Sequence, residues 1–258
     1  MNKNMWGVFV VVCALAIFAV VPASAQMAEV KDKPPMYSYV GNWSIPRAQW
    51  GDMEKANAAD QKILDKAMAS GTIVAYGNDV NLIHTSDGGT HDDWWSSMSM
   101  AGVLSVLDQF YKNGNPTTPV LVSATKHWDG LYVSRYYNWR SGSWKDTYSR
   151  VAAYKLKPDA PNDAVESLSK HLFVPMLEKL LADGAINEYE IDTEAIHTEA
   201  PGTFWVDIIA ANAEGLDKFN AAVRELGKSD PLAGVAIGSV VDYSSHRDYL
   251  MRTNATYK

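Results

Sequence analysis

Leu64 to Gly102 reads LDKAMASGTIVAYGNDVNLIHTSDGGTHDDWWSSMSMAG, and further along the chain Leu177 to Gly215 reads LEKLLADGAINEYEIDTEAIHTEAPGTFWVDIIAANAEG. The two stretches align without a gap and are identical at 13 of 39 positions, where ordinary composition gives about two or three. The identities carry structural meaning. Leu64/Leu177, Lys66/Lys179 and Ala69/Ala182 keep a helical spacing, and Gly71/Gly184 stand where such a helix stops. Ile73/Ile186, Tyr76/Tyr189 and Asp79/Asp192 follow, then Ile83-His84-Thr85 with Ile196-His197-Thr198, then Gly89-Thr90 with Gly202-Thr203. An internal duplication therefore sets the architecture.

Working outward, each unit opens on an extended aromatic run, Tyr37 to Trp43 in the first and Arg150 to Leu156 in the second. A helix follows, with Trp50, Met53, Ile63, Leu64, Ala67 and Met68 recurring at three- and four-residue intervals, and Leu168, Leu172, Met176, Leu177, Leu180 and Leu181 doing the same. Pro175 kinks or splits the second of these. After the glycine stop comes a strand ending in Ile-His-Thr, a turn cluster and an aromatic-rich strand, which together make a hairpin. A second helix is expected near Gly102 to Lys112 and Glu214 to Leu226, and a last strand near Val120 to Ala124 and Val235 to Val241. The order is β-α-β-β-α-β, twice, an α+β class. Residues 26–130 form the first repeat, 131–149 an aromatic connector, and 150–258 the second repeat.

That order is the ferredoxin-like split motif, and two copies in one chain resemble the tandem form of the dimeric α+β barrel superfamily. The resemblance spans nearly the whole chain beyond Ala25 and rests on element order and duplication. It implies two sheets packed face to face around a cavity, with the helices outside, as a pseudo-dimeric barrel. The superfamily includes cofactor-free monooxygenases, haem enzymes such as chlorite dismutase, isomerases, stress-responsive proteins and members without known activity. Fold alone does not choose among them.

Residues 1–25 read as a cleaved secretory signal: Lys3, an apolar stretch from Val8 to Val21, then Pro22-Ala23-Ser24-Ala25 before Gln26. A periplasmic or secreted protein without stable membrane insertion is expected. Cleavage removes Cys13, the one cysteine of the sequence, so no disulfide is available to what remains. With Lys3 gone, 22 basic side chains stand against 30 acidic ones, a formal charge of −8 without any basic run. Nucleic acid is an unsuitable partner for such a chain.

Two sets of residues are candidates for chemistry. His127-Trp128-Asp129-Gly130-Leu131 and His246-Arg247-Asp248-Tyr249-Leu250 repeat as His-x-Asp-x-Leu. On a strand His127 and Asp129, or His246 and Asp248, point the same way, so that the carboxylate orients an imidazole for proton transfer. The alternative is structural: the Asp caps and the His packs. Counting by twos, His197 shares a face with Tyr189, Ile191 and Ala195, and Glu188, Glu190, Asp192 and Glu194 take the other. In the first half the same count groups His84 with Tyr76. If the less charged face lines the cavity, Tyr76, His84, Tyr189 and His197 become its polar groups, with Arg135 of the connector as an anion contact.

No H-E-x-x-H, G-x-S-x-G or glycine-rich phosphate loop occurs, and His91-Asp92-Asp93 is matched in the second half by Phe204-Trp205-Val206. No dedicated metal site and no cofactor are expected. The sequence thus predicts an exported protein binding or transforming a small, mostly apolar molecule between two halves. A non-catalytic periplasmic interaction or stress-related protein is the first alternative, and a haem-binding enzyme of the same superfamily the second.

Overall fold

The computed structural model describes residues 30–85, 88–198, 201–229 and 231–258; the expected signal segment lies outside them. The chain order is β1 (Met36–Trp43), α1 (Trp50–Ser70), β2 (Ala75–Asn81), β3 (His91–Ser97), α2 (Met100–Lys112), α3 (Pro119–Val122) and β4 (His127–Trp139), then β5 (Gly142–Lys155), α4 (Ala164–Leu168), α5 (Val174–Ala182), β6 (Ile186–Glu194), β7 (Thr203–Ala210), α6 (Ala213–Ser229), α7 (Pro231–Val240) and β8 (Arg247–Tyr257). Gly71 and Gly184 adopt left-handed φ of +76° and +70°, the cap that ends a helix at low steric cost. A single π turn, Ser169–Phe173, joins α4 to α5. Pro175 sits in the first turn of α5 and cannot supply the N–H that an unbroken α-helix requires there.

All eight strands are antiparallel to their neighbours and close into one barrel in the order β1-β3-β2-β8-β5-β7-β6-β4, with β4 pairing back onto β1. The first four strands run β4-β1-β3-β2 and the last four β8-β5-β7-β6, so the two seams are β2–β8 and β4–β6. Closure leaves no sheet edge unpaired. Among the described residues no helix is long and apolar enough to cross a membrane.

The two largest apolar cores lie outside the barrel, between its wall and the helices. Ile186, Tyr189, Ile191, Phe204, Val206 and Ile208 of β6 and β7 bury against Leu177, Leu180, Leu181 and Phe219 of α5 and α6. Tyr76 and Trp95 of β2 and β3 do so against Leu64, Ala67, Val103, Val106 and Phe110 of α1 and α2. Each such Leu, Ile, Val or Phe side chain contributes about 1.5–3 kcal/mol when fully buried. Alternation along a strand then forces the opposite, polar face inward.

Two expectations need correction. Residues 120–124 and 235–241 do not form strands: they belong largely to α3 and α7, each opened by a proline at its first position, where the missing N–H is harmless and the fixed φ suits a helix. The last strand of each half is instead β4 or β8, beginning at or beside His-x-Asp. Nor is 131–149 a separate connector. Leu131 to Trp139 belong to β4 and Gly142 to Tyr148 to β5, so just Arg140 and Ser141 carry the chain across one end of the barrel.

The matched glycines Gly102 and Gly215 have a steric cause. A Cβ at Gly102 would meet Thr72 O at 2.6 Å as well as the Ser97 hydroxyl, and one at Gly215 would overlap Ala185 O. Both helices lean on the backbone just after the glycine caps. Gly102→Ala and Gly215→Ala should each destabilise by about 1–3 kcal/mol, whereas Gly227→Ala, whose Cβ meets nothing within 4 Å, should be neutral or stabilise by up to about 1 kcal/mol. Urea unfolding of the three variants checks this; equal effects at all three positions would contradict the close-approach account.

Candidate functional site

The barrel encloses a chamber of 480 Å³. Six acidic side chains line its interior, Asp79 from β2, Asp92 from β3, Glu188, Glu190 and Asp192 from β6, and Asp207 from β7, and a seventh, Asp248 of β8, borders its mouth. Asp79 pairs directly across strands with Asp92, and Glu190 with Asp207. Between them stand aromatic and small residues, among them Trp94, Trp128, Tyr132, Trp205, Val40, Ser149, Val151 and Met251. One end is closed by Tyr257, whose ring lies 5.6–5.8 Å from those of Trp94, Trp139 and Trp144. The other end is bordered by the hairpin residues Thr85, Gly88 and Gly89 with Trp128, Thr203 and Arg247.

Little positive charge answers these carboxylates. Among the described residues Arg247 is the lone lysine or arginine of the lining, and its guanidinium donates to the carbonyls of Ser244 and His246 at 3.3 and 2.7 Å. Among the described residues no ion pair reaches any of the six acids. Neutral donors serve some of their oxygens. Thr253 and the Trp94 indole N–H (3.1 Å) donate to Asp79, Ser134 donates to Asp192, and Ser38 donates to Glu190 at 3.5 Å. Among the described residues Asp92 Oδ1, Glu188 Oε1 and Asp207 Oδ1 have no hydrogen-bond partner. Burial pushes Asp79 up to about 7 and Asp192 to about 6, with the donated hydrogen bonds pulling each back. Burial and then mutual repulsion raise Asp92, Glu188, Glu190 and Asp207 well above the usual carboxylate range.

Trp94 depends on a bare strand position. A Cβ at Gly77 would collide with the Trp94 ring and stand 2.6 Å from Asn254 O, so the indole lies flat over Gly77, its direct cross-strand neighbour. The matching positions in the second half are Glu190 and Asp207. One wall thus holds a tryptophan over a glycine where the other holds two acids.

The sequence-selected residues sit elsewhere. Tyr76 and Tyr189 face the helices, not the chamber: Tyr76 donates to Asp65 of α1 at 2.5 Å, and Tyr189 to Glu178 of α5 at 2.6 Å. Asp65 and Glu178 themselves occupy matching positions of the two halves, so the matched tyrosines are ties between strand and helix. His84 and His197 lie beyond the ends of β2 and β6 in the hairpin loops and are exposed; the strands stop before the alternation reaches them. Arg135 is exposed at the bulge between Ser134 and Tyr136 and does not line the chamber. The less charged face is therefore the outer one, because the apolar stripes of the helices claim it.

The His-x-Asp pairs do share a face, as a strand requires, and that face is again the outer one. His127 Nε2 lies 3.2 Å from Asp129 Oδ1, its Nδ1 lies 2.9 Å from Asn42 O, and its ring stacks on Trp43 at 3.6 Å. Asp129 also accepts from the Tyr39 hydroxyl at 2.5 Å. His246 repeats the arrangement: Nε2 lies 3.3 Å from Asp248, Nδ1 3.0 Å from Ala153 O, and the ring stacks on Tyr154 at 4.5 Å. Arg150 pairs with Asp248 at 3.0 Å. Both imidazole nitrogens are engaged at the partly exposed rim, so each pair fastens the start of a closing strand to its neighbour. Asp248 alone of the four borders the chamber mouth.

Solved structures share this architecture. A candidate monooxygenase from Fusobacterium nucleatum matches with a TM-score of 0.61 at 8% identity, over 88% of this chain and 95% of that one. A candidate monooxygenase from Lactobacillus acidophilus NCFM matches at 0.57 and 12% identity, over 87% and 97%. The fold is the dimeric α+β barrel. An anthrone oxidase-like protein matches this barrel at 0.56 and 8% identity, over 87% and 94%. No protein-family model and no curated protein matches the chain.

The sequence held a signal for the acidic lining of the barrel. Glu188, Glu190 and Asp192 alternate with Tyr189 and Ile191, and Asp79/Asp192 is one of the duplicated identities. What it lacked was the side on which the helices pack.

The acidic lining sets a pH dependence. A carboxyl held above its unfolded pKa binds more protons folded than unfolded, so stability falls as pH rises from about 4 through the folded value. His91 works the other way: burial, with the nearby charge of His84 adding, pushes it down to about 4, so it costs stability only below about pH 6.5. Between pH 6.5 and 8 the carboxyls act alone. The melting temperature should be higher at pH 6.5 than at pH 8 by at least about 3 °C, the shift that about 1 kcal/mol makes in a chain of this size. Calorimetry at both pH values checks it, and a higher melting temperature at pH 8 would contradict the buried acids.

Proposed function

We propose that the chain is an exported small-molecule-binding protein built from two fused ferredoxin-like repeats, with the barrel chamber as its binding site. The observation that carries this reading is the set of buried carboxylate oxygens, Asp92 Oδ1 and Glu188 Oε1, left without partners beside a 480 Å³ space. A buried polar atom without a partner costs about 1–3 kcal/mol, and a ligand that donates hydrogen bonds recovers that cost. The size is that of a small-molecule site, and apolar surface with a few convergent polar groups is its usual composition. Trp128, Tyr132 and Trp205 supply the apolar surface and Ser38, Ser149 and the carboxyls the polar groups.

Proton transfer on the ligand is within reach of such a site, since carboxyls near neutrality act as general acids and bases. The candidates for it are Asp79 and Asp192, which replace the rim histidines in that role. Haem fits the chamber less well. Its lining has neither histidine nor cysteine among the described residues, and six acids would face the two propionates. Export rests on the Lys3, Val8–Val21 and Ala23-Ser24-Ala25 pattern, and the duplication on the identities between Leu64–Gly102 and Leu177–Gly215 with the matching strand orders of the two halves.

Titration with indole, tryptamine and indoleacetate, planar probes that are neutral, cationic and anionic, tests the chamber. At least one should bind with a dissociation constant below about 1 mM and lose at least tenfold in affinity in Val151→Trp, which fills the chamber from β5. Absence of binding by all three, or binding that Val151→Trp leaves unchanged, would overturn the reading. Mass analysis of the exported protein should find Gln26 as its first residue.

A further inference from the structure

We infer that the chamber takes an organic dication, two ammonium ends joined by a short aliphatic spacer, with one end held on each of two opposite walls. The inference rests on the chamber being a binding site and goes on to name the chemistry of what enters it.

The closed strand order places β3 and β2 four positions from β7 and β6, which in an eight-stranded barrel is straight across. Each of these walls carries a directly opposed acid pair, Asp79 with Asp92 on one and Glu190 with Asp207 on the other. Each wall also carries unpartnered oxygen: Asp92 Oδ1 on the first, Glu188 Oε1 and Asp207 Oδ1 on the second. Asp92 is 8% exposed and Glu188 2%, so neither side chain is served by bulk solvent.

Three neutralising agents can be compared. A proton removes the charge of a carboxylate but turns one oxygen into a donor that needs its own acceptor. A bound metal ion needs several ligands converging on one point, and among the described residues no three His, Cys, Asp or Glu side chains do so. An ammonium group brings one charge and three donors, which matches a pair of carboxylates with an open oxygen. A single ammonium serves one wall only. Two joined ammonium groups serve both.

The ground between the walls suits the spacer. Trp128 of β4, Val40 of β1 and Val151 of β5 line it, with Trp205 beside it on β7, and indole faces attract cations as well as covering methylenes. The position matching Asp92 in the other half is Trp205, and the position matching Asp207 is Trp94. Each half therefore contributes one acid and one indole from its hairpin, in reversed order. An eight-stranded barrel has room for one small ligand of this kind.

Calorimetric titration of the full mature chain with putrescine, butylamine and butanol, which share a four-carbon chain and differ in charge, tests the inference. Putrescine should bind at least tenfold tighter than butylamine, and butanol should not compete. Asp92→Asn and Asp207→Asn, acting on opposite walls, should each cut putrescine affinity at least tenfold while changing butylamine affinity less than putrescine affinity. Circular dichroism melting confirms that each variant folds; Asp79→Asn replaces Asp92→Asn, and Glu188→Gln replaces Asp207→Asn, where one does not. Equal binding of putrescine and butylamine would overturn the two-wall arrangement. Binding of indole but of neither amine would overturn the cationic ligand and leave the chamber standing, and silence from every probe would remove both.

Discussion

The structure depends on which face of the barrel the helices cover. Helices α1, α2, α5 and α6 carry apolar stripes that must be buried, and the strands offer them Tyr76, Trp95, Tyr189, Ile191, Phe204, Val206 and Ile208. Once that face is committed outward, strand alternation leaves no freedom: Asp79, Asp92, Glu188, Glu190, Asp192 and Asp207 are enclosed together. The hydrophobic effect thus concentrates charge in the interior. The favourable burial outside is large and the unfavourable enclosure inside is tolerated, in part by protons and in part by donors from Ser38, Ser134, Trp94 and Thr253.

That division explains which residues the two halves share. The matched tyrosines, the matched helix carboxylates Asp65 and Glu178 and the matched glycines Gly71, Gly184, Gly102 and Gly215 all serve the contact between helix and sheet, which both halves need equally. The interior positions diverged. Where one half sets Trp94 over Gly77, the other sets Asp207 beside Glu190, so the two walls of the chamber are no longer equivalent. The His-x-Asp pairs belong with the preserved group: each pins the start of β4 or β8 by an imidazole–carbonyl contact and an aromatic stack.

Much of the fold was legible in the residues. The internal repeat, the helices around Leu64 and Leu177, the glycine caps and the two hairpins follow from spacing and turn chemistry that act over short stretches of chain. The last strands were misplaced because Pro119 and Pro231 start helices as readily as they break strands, and because His-x-Asp looks the same after a strand as at the start of one. The aromatic run from Leu131 to Tyr148 looked like a connector because its residues interleave by barrel pairing with β1, β6, β7 and β8, partners distant in sequence. The site was half legible. Periodicity separated Tyr189 from Glu190 correctly, but the choice of inner face is a tertiary fact, decided by α5 and α6 and not by the strand itself.

The central claim, that the acidic face of β6 is enclosed with its charge unanswered, is tested most directly by a carbon-detected NMR titration of the side-chain carboxyls. The account predicts that Glu188, Glu190 and Asp207 titrate well above the usual carboxylate range, with Asp79 near 7 and Asp192 near 6, while Asp242, held by Ser244 and Ser245 at the surface, titrates below it. Ordinary carboxylate values for all three β6 acids would place that face in water and contradict the account.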